Sequence, residues 1–475
     1  MSNDVKTAAT GPFATLITVF FFWGFVAASN GIFIPFCKKH FDLTQFQSQL
    51  IDTAFYAAYF FGSLALFLLS QTTKVDFLNK IGYKKGIIYG LLISVVGALL
   101  MVPAVHSGSF GFILAAFFIL ALGFSLQQTC AQPFVVALGT PETGAHRLNL
   151  AGGLNSFGTL IGPLIVSLLL FGDTDASASG ATTIGSIDTL YYILAAVFIL
   201  ATILLGMAKL PRVESNEAFE SGSGALKFPQ VKWGMLAIFV YVGVEVSIQS
   251  NMGELLKQPE FGGYDVSEIS RFIALYWGSL MIGRWSGALS AFKLSKTGRT
   301  ALMIIVPIVA FGIILFVNQL QGNRIDDLYV YIMCVLALVT GVLLAQEKPA
   351  RMLFIFTTLG IVAMLIGLFT TGQTAMFAFI SGGLWCSIGW PCIFSLSIAG
   401  LGKYTSQAST LLIMMILGGA ILPPLQGWIA DQVGIHTSYW MCVVCFVYLA
   451  WFAIKVRSVL KAQGIDVDDT SVQAH

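Results

Sequence analysis

Apolar residues in this chain gather into long runs separated by short polar turns. A helix needs about 20 residues to cross the hydrocarbon core of a bilayer. Runs of that order lie at 12–36, 49–71, 84–105, 110–138, 149–172 and 188–209. A polar stretch follows at 210–230, with Arg212, Glu214, Glu217, Glu220, Lys227 and a Ser/Gly patch. Eight more runs lie at 231–255, 268–292, 299–318, 327–346, 351–370, 374–401, 406–428 and 437–457. The pattern predicts an all-α integral membrane protein with about 14 transmembrane helices, six before the linker and eight after it.

Two of these runs are interrupted by polar residues and proline. Between Gly123 and Ser156 the chain carries Gln127, Gln128 and Gln132, then Pro133, a polar turn with Arg147, and Asn149 and Asn155. A related stretch starts at Gly383 and carries Trp385, Trp390 and Pro391 before a turn holding Lys403. Amides inside a span must face protein, water or a ligand. Two proline-broken, polar-spotted spans, one in each half, are the mark of a carrier built from repeats around a central site.

Composition and charge agree. Hydrophobic residues make up 57% of the chain and charged residues 10%, and mean hydropathy is +0.84, too apolar for a soluble protein of this length. Basic residues segregate across the spans. Lys84, Lys85, Arg147, Lys209, Arg212, Lys296, Arg299, Lys348, Arg351, Lys403 and Arg457 fall on one side; Lys38, Lys39, Lys257, Arg271 and Arg324 fall on the other. The positive-inside rule then puts both termini in the cytoplasm. Removing one span would scramble this segregation. The seven cysteines sit mostly in apolar runs and read as packing residues.

The division into six spans, a charged linker and a second set resembles the major facilitator superfamily, and within it the fucose–galactose–glucose:proton symporter family. The residues that carry the resemblance are Trp23-Gly24, Asn30, Ile34-Pro35, Ala54-Phe55-Tyr56, Gln132-Pro133-Phe134-Val135, Arg147-Leu-Asn-Leu-Ala with Asn155-Ser-Phe-Gly, Gly243-Val-Glu-Val-Ser-Ile and Met281-Ile-Gly-Arg. The resemblance implies two six-helix bundles with pseudo-two-fold symmetry: an N-terminal bundle over 1–209, a cytoplasmic linker at 210–230 and a C-terminal bundle over 231–475. Two spans are then surplus. The basic turn at 79–85 is similar to that at 293–299, which puts the extra hairpin at about 327–370.

The resemblance also implies a sugar importer of alternating-access type in a bacterial inner membrane, coupled to protons or to sodium. Sugars offer hydroxyls at the ring edge and C–H groups on the ring face, so amides and indoles suit them. Asn30, Gln127, Gln128, Gln132, Asn155, Gln249, Asn251, Trp277 and Trp385 are the substrate-binding candidates, with Tyr276 and Trp390 beside them.

Glu245 lies mid-span with Gln249 one helical turn along. Charge buried there is costly, so the carboxyl either holds a proton or has a partner. It reads as a proton carrier or as a lock between helices. Asp52 is a second ion-coupling candidate, or a helix-start residue favoured by the helix dipole. Arg284 and Arg147 are candidates for a gating charge pair, Arg284 alternatively snorkelling to the membrane edge.

The chain departs from the family where the proton-handling carboxylates are expected, at Gly31 and Gln128, and lacks family amides at Ala27, Ala28 and Gly152. A roomier pocket follows, for a hexose, an N-acetylhexosamine or a disaccharide, with coupling moved to Glu245, Asp52 or a sodium site. Multidrug export, an uncoupled facilitator and a sugar sensor are the competing readings. No metal-ligand cluster or phosphate loop appears, so no enzyme, cofactor, metal or nucleic-acid role is expected. The expected partners are the sugar, the ion and membrane lipid, with the protein a monomer.

Overall fold

The structure is a computed structural model that describes residues 10–42, 45–74, 77–139, 143–171, 184–211, 224–264, 266–292 and 294–465. Among them the regular structure is helical. The spanning helices are α1 (Thr10–His40), α2 (Gln45–Thr73), α3 (Tyr83–His106), α4 (Phe110–Ala137), α5 (Gly144–Phe171), α6 (Ile184–Met207), α7 (Pro229–Leu256), α8 (Val266–Ala288) and α9 (Lys296–Leu320). They continue as α10 (Leu328–Ala345), α11 (Pro349–Phe369), α12 (Gly372–Ile398), α13 (Gly402–Val433) and α14 (Ile435–Ala462). Among the described residues, eleven are long and apolar enough to cross a membrane. The other three, α1, α5 and α8, are continuous helices on expected spans.

Local chemistry sets the ends. Ser109 caps α4 by accepting from the Phe112 amide, and Ser295 caps α9 through the Gly298 amide. Pro229 and Pro349 occupy the first helical positions of α7 and α11, where no amide hydrogen is needed. α12 is broken at Ser381 and Ser387 into three pieces, and its span is 94% buried. Lipid-facing stripes recur at helical spacing, as in Leu92, Val96 and Leu99 on α3 and Val444, Val447, Trp451 and Ile454 on α14.

The chain packs as two compact units. Unit 1 holds Met1–Gly139, Phe157–Lys227 and Leu401–Leu417; unit 2 holds Thr140–Ser156, Phe228–Gly400 and Gly418–His475. Two helices are divided between them, α5 after Ser156 and α13 after Leu417, where a 3-10 turn at Met415–Leu417 interrupts the helix. In unit 1, α3 crosses α4 closely enough that a Cβ on Gly97 would collide with the main chain of Leu120. The Ser94 hydroxyl donates to the Leu120 carbonyl at 3.0 Å in the same crossing. Small residues admit the close approach that membrane helices rely on for packing.

Packing partners distinguish the helices around the expected hairpin at 327–370. In unit 1, α3 packs on α4 and α6; in unit 2, α11 packs in the same way on α12 and α14. α9 packs chiefly on α8 and α10. By this comparison α11 packs as α3 does and α9 does not. A hairpin inserted one helix earlier or later keeps every later basic turn on the same side, so the charge rule does not register where it sits.

Candidate functional site

A connected polar cluster in unit 2 centres on Glu245, near the middle of α7. Its side chain is 12% exposed and that of Arg284 is 11% exposed. Arg284 Nη2 lies 3.3 Å from Glu245 Oε1, and the Tyr241 hydroxyl donates to the same oxygen at 3.0 Å. Tyr241 stands four residues before Glu245, so the helix puts both on one face. The Tyr276 hydroxyl on α8 donates to the Glu245 main-chain carbonyl at 2.6 Å. α7 is thus tied to α8 at both the side chain and the main chain of Glu245.

Arg284 does more than pair with one acid. Its Nη1 donates to the Ser156 hydroxyl at 2.8 Å and reaches the Gly152 carbonyl at 3.4 Å, both on α5. Its Nε donates to the Ser387 carbonyl at 3.1 Å, at the break in α12. A helix break frees carbonyls that a buried guanidinium can use. The cation is held by neutral oxygens from two helices besides the carboxylate. A proton taken by Glu245 would cancel the ion pair without freeing Arg284 from its other contacts. The cluster can therefore switch one bond while the rest stay in place.

The other candidates of unit 2 fall into two groups. Gln249 and Trp277 are half-buried, the Trp277 ring beside Tyr276. Trp390 is half-buried, its ring stacked on Phe394 and tilted against Tyr241, and its indole Nε1 has no hydrogen-bond partner. By contrast, Asn251 donates to Gln426 Oε1 at 2.9 Å, and Gln426 donates on to Ser438. Trp385 is 4% exposed, donates to the Ser381 hydroxyl and packs on Phe356. These two side chains hold helices together. Asn155 is half-buried and Arg147 is buried, hydrogen-bonded to Thr143 Oγ1.

In unit 1, Gln127 is fully buried and both ends of its amide are engaged. Its Oε1 accepts from Trp23 Nε1 at 2.6 Å and its Nε2 donates to Ser94 Oγ at 3.0 Å. It ties α1, α3 and α4 together and leaves no amide atom for a ligand. Gln128 points elsewhere, donating to the Tyr59 hydroxyl at 2.9 Å from a half-buried position. Gln132 is 5% exposed and its Oε1 has no partner. The side chains of Asn30 and Asp52 lie outside the described residues.

Tyr241, Ser156 and Ser387 were not singled out from the sequence. The i, i+4 spacing to Glu245 would have pointed to Tyr241; no local pattern ties Ser156 or Ser387 to Arg284. A buried ion cluster also went unforeseen. Arg271, 5% exposed, pairs with Asp327 at 2.9 Å and with Glu268 at 3.8 Å, and its guanidinium lies over the rings of Tyr264 and Phe272.

Comparison with known proteins gives the same fold and extends it. The chain is 32% identical over 446 residues to a glucose/galactose transporter of Brucella abortus, covering 93% of this chain and 92% of the relative. It is 27% identical over 465 residues to the L-fucose-proton symporter of Escherichia coli, covering 93% of this chain and 92% of that protein. The crystal structure of the Escherichia coli fucose:proton symporter superposes with a TM-score of 0.71 at 25% identity, covering 95% of this chain and 99% of the other. Residues 15–342 match the model of the Major Facilitator Superfamily. With its helical spans, its paired units and this match together, the chain belongs to the Major Facilitator Superfamily.

Proposed function

We propose that the protein is a cation-coupled sugar importer that works by alternating access, with a proton as the coupling ion and sodium as the less favoured choice. The observation that carries the coupling is the Glu245–Arg284 pair, a carboxylate and a cation side by side within a membrane unit. Intramembrane ionisable pairs mark ion pathways and proton relays. The sugar half of the reading draws on the relatives, which are named as carriers of glucose, galactose and fucose. Gln128, Gln132 and Trp390 are the side chains whose exposure or unmet hydrogen bonding suits a hydroxylated ligand. Gln249, Trp277 and Asn155 join them as half-buried polar or aromatic groups.

In this reading Glu245 takes the proton, Arg284 is its charge partner, and Asp52 is a second coupling group. The side with most lysines and arginines, including both termini, faces the cytoplasm of a bacterial inner membrane, and the working unit is the monomer. The test is uptake into proteoliposomes with a panel of labelled hexoses, N-acetylhexosamines and disaccharides, under imposed proton or sodium gradients. Accumulation driven by an inward proton gradient supports the reading. Equilibration without accumulation under either gradient would identify an uncoupled facilitator, and binding without uptake a sensor.

A further inference from the structure

The turn that ends the hairpin α9–α10 rests on a single buried histidine. His146, at the start of α5, is 3% exposed. Its Nδ1 lies 2.8 Å from the Gly287 carbonyl oxygen on α8 and its Nε2 lies 3.1 Å from the Glu347 carbonyl oxygen. Glu347 sits in the turn after α10, and its carboxylate accepts from Arg299 Nη1, on the first turn of α9, at 2.9 Å. Arg299 and Glu347 are both largely screened from solvent. The hairpin therefore begins and ends at one ion pair, and that pair presents a main-chain carbonyl to α5.

The turn is held in an unusual shape to do so. Gln346 and Glu347 have φ of +52° and +63°, left-handed values that side chains with a Cβ rarely adopt. Two such residues in succession persist only where surrounding contacts over-determine them. Here the contacts are the Arg299 pair and a hydrogen bond from Arg351 to Gln346 Oε1 at 2.8 Å. A simple lipid-facing addition would need no such turn.

The packed start of α5 also carries an unmet demand. Asn149, one turn beyond His146, is fully buried, and neither its Oδ1 nor its Nδ2 has a partner. It lies against Gly287, where an added Cβ would press on the amide at 2.8 Å. Burying an amide without hydrogen bonds disfavours the packed arrangement. Opposing contributions of this kind make an element that can exist in two states, held by a contact it is also poised to leave.

We propose that the hairpin α9–α10 is a releasable strap on the start of α5, closed by His146, Glu347 and Arg299, and opened when the carrier changes conformation. The opening half of this statement rests on the transport reading; the closing half does not. About two to three turns further along, α5 also holds Gly152 and Ser156, the partners of Arg284. The strap thus steadies the helix that shares the coupling cation.

Hydrogen–deuterium exchange on the full-length protein in lipid nanodiscs, without substrate, tests the closing half. His146→Ala and Arg299→Gln are each expected to speed exchange in peptides spanning 143–156 by about tenfold, the scale of one lost hydrogen bond. Exchange in α3 and α4 should stay as in the wild type, and Arg299→Lys should recover much of the protection. Unchanged exchange over 143–156 in both variants would overturn the proposal. The opening half is tested by His146→Cys with Glu347→Cys, bridged by a short reducible thiol reagent. Bridged protein should lose uptake and regain it on reduction; uptake undiminished in fully bridged protein would refute release. Because the exchange measurement needs no sugar, a failure of the substrate reading leaves it standing.

Discussion

Arg284 on α8 and Glu245 on α7 stand 3.3 Å apart, yet most of the hydrogen bonds of the guanidinium go to neutral oxygens on α5 and α12. The asymmetry makes the two partners unequal. Losing the cation strands a buried carboxylate, whereas neutralising the carboxyl leaves the cation with Ser156, Gly152 and Ser387. Arg284→Gln should therefore destabilise the protein by about 3–5 kcal/mol, the usual result of removing one member of a buried pair. Glu245→Gln should cost less, and the double variant should lie between them. Thermal unfolding in one detergent, compared across the three proteins, measures the order.

Gln127 is expected to matter for stability and not for substrate choice. Replacing it with Leu leaves the Trp23 indole N–H without its acceptor and Ser94 without its donor. Each unmet buried group costs about 1–3 kcal/mol. The melting temperature should fall while the relative uptake of different sugars stays that of the wild type. A changed sugar preference would mean the amide reaches the ligand.

The α3–α4 crossing should not tolerate a side chain at Gly97. A Cβ there meets the main chain of Leu120, which has no flexible end to yield. Gly97→Val should cost about 1–3 kcal/mol or more through overpacking. Yield of folded protein, followed by size-exclusion profile in detergent, is the measurement. A wild-type profile would mean the helices separate freely at this point.

The Arg271 cluster separates a pair that matters from one that does not. Asp327 holds the buried guanidinium at 2.9 Å, whereas Glu268 is 41% exposed on its side chain and 3.8 Å away. Asp327→Asn should lower stability by about 3 kcal/mol. Glu268→Gln should change it by about 0.5 kcal/mol or less, as for an exposed ion pair. Comparable losses in the two variants would show that the guanidinium is shared evenly.

Much of this architecture is legible in the sequence, because bilayer crossing leaves a long-range signature. Apolar runs and segregated basic turns suffice to find the spans. Glu245 and Arg284 stand out in the sequence because ionisable groups inside spans are rare. Their pairing is not legible there, since spacing along a chain does not say which helices touch. The same limit explains Gln127 and Gln128. They are neighbours in sequence, but a helix turns about 100° per residue, so one is locked among α1, α3 and α4 while the other meets Tyr59. Which pair of helices is the inserted one is not legible in the sequence, because one pair of apolar helices looks like another until packing partners are known.

The central claim is that the Glu245 carboxyl couples the ion to the solute. Proteoliposomes containing Glu245→Gln, given a sugar the wild type accumulates, test it most directly when gradient-driven uptake and counterflow are measured on the same preparation. The account predicts counterflow near the wild-type rate and no accumulation above equilibrium under an inward proton gradient. Accumulation equal to that of the wild type would contradict it, and would leave Glu245 as a tie between helices.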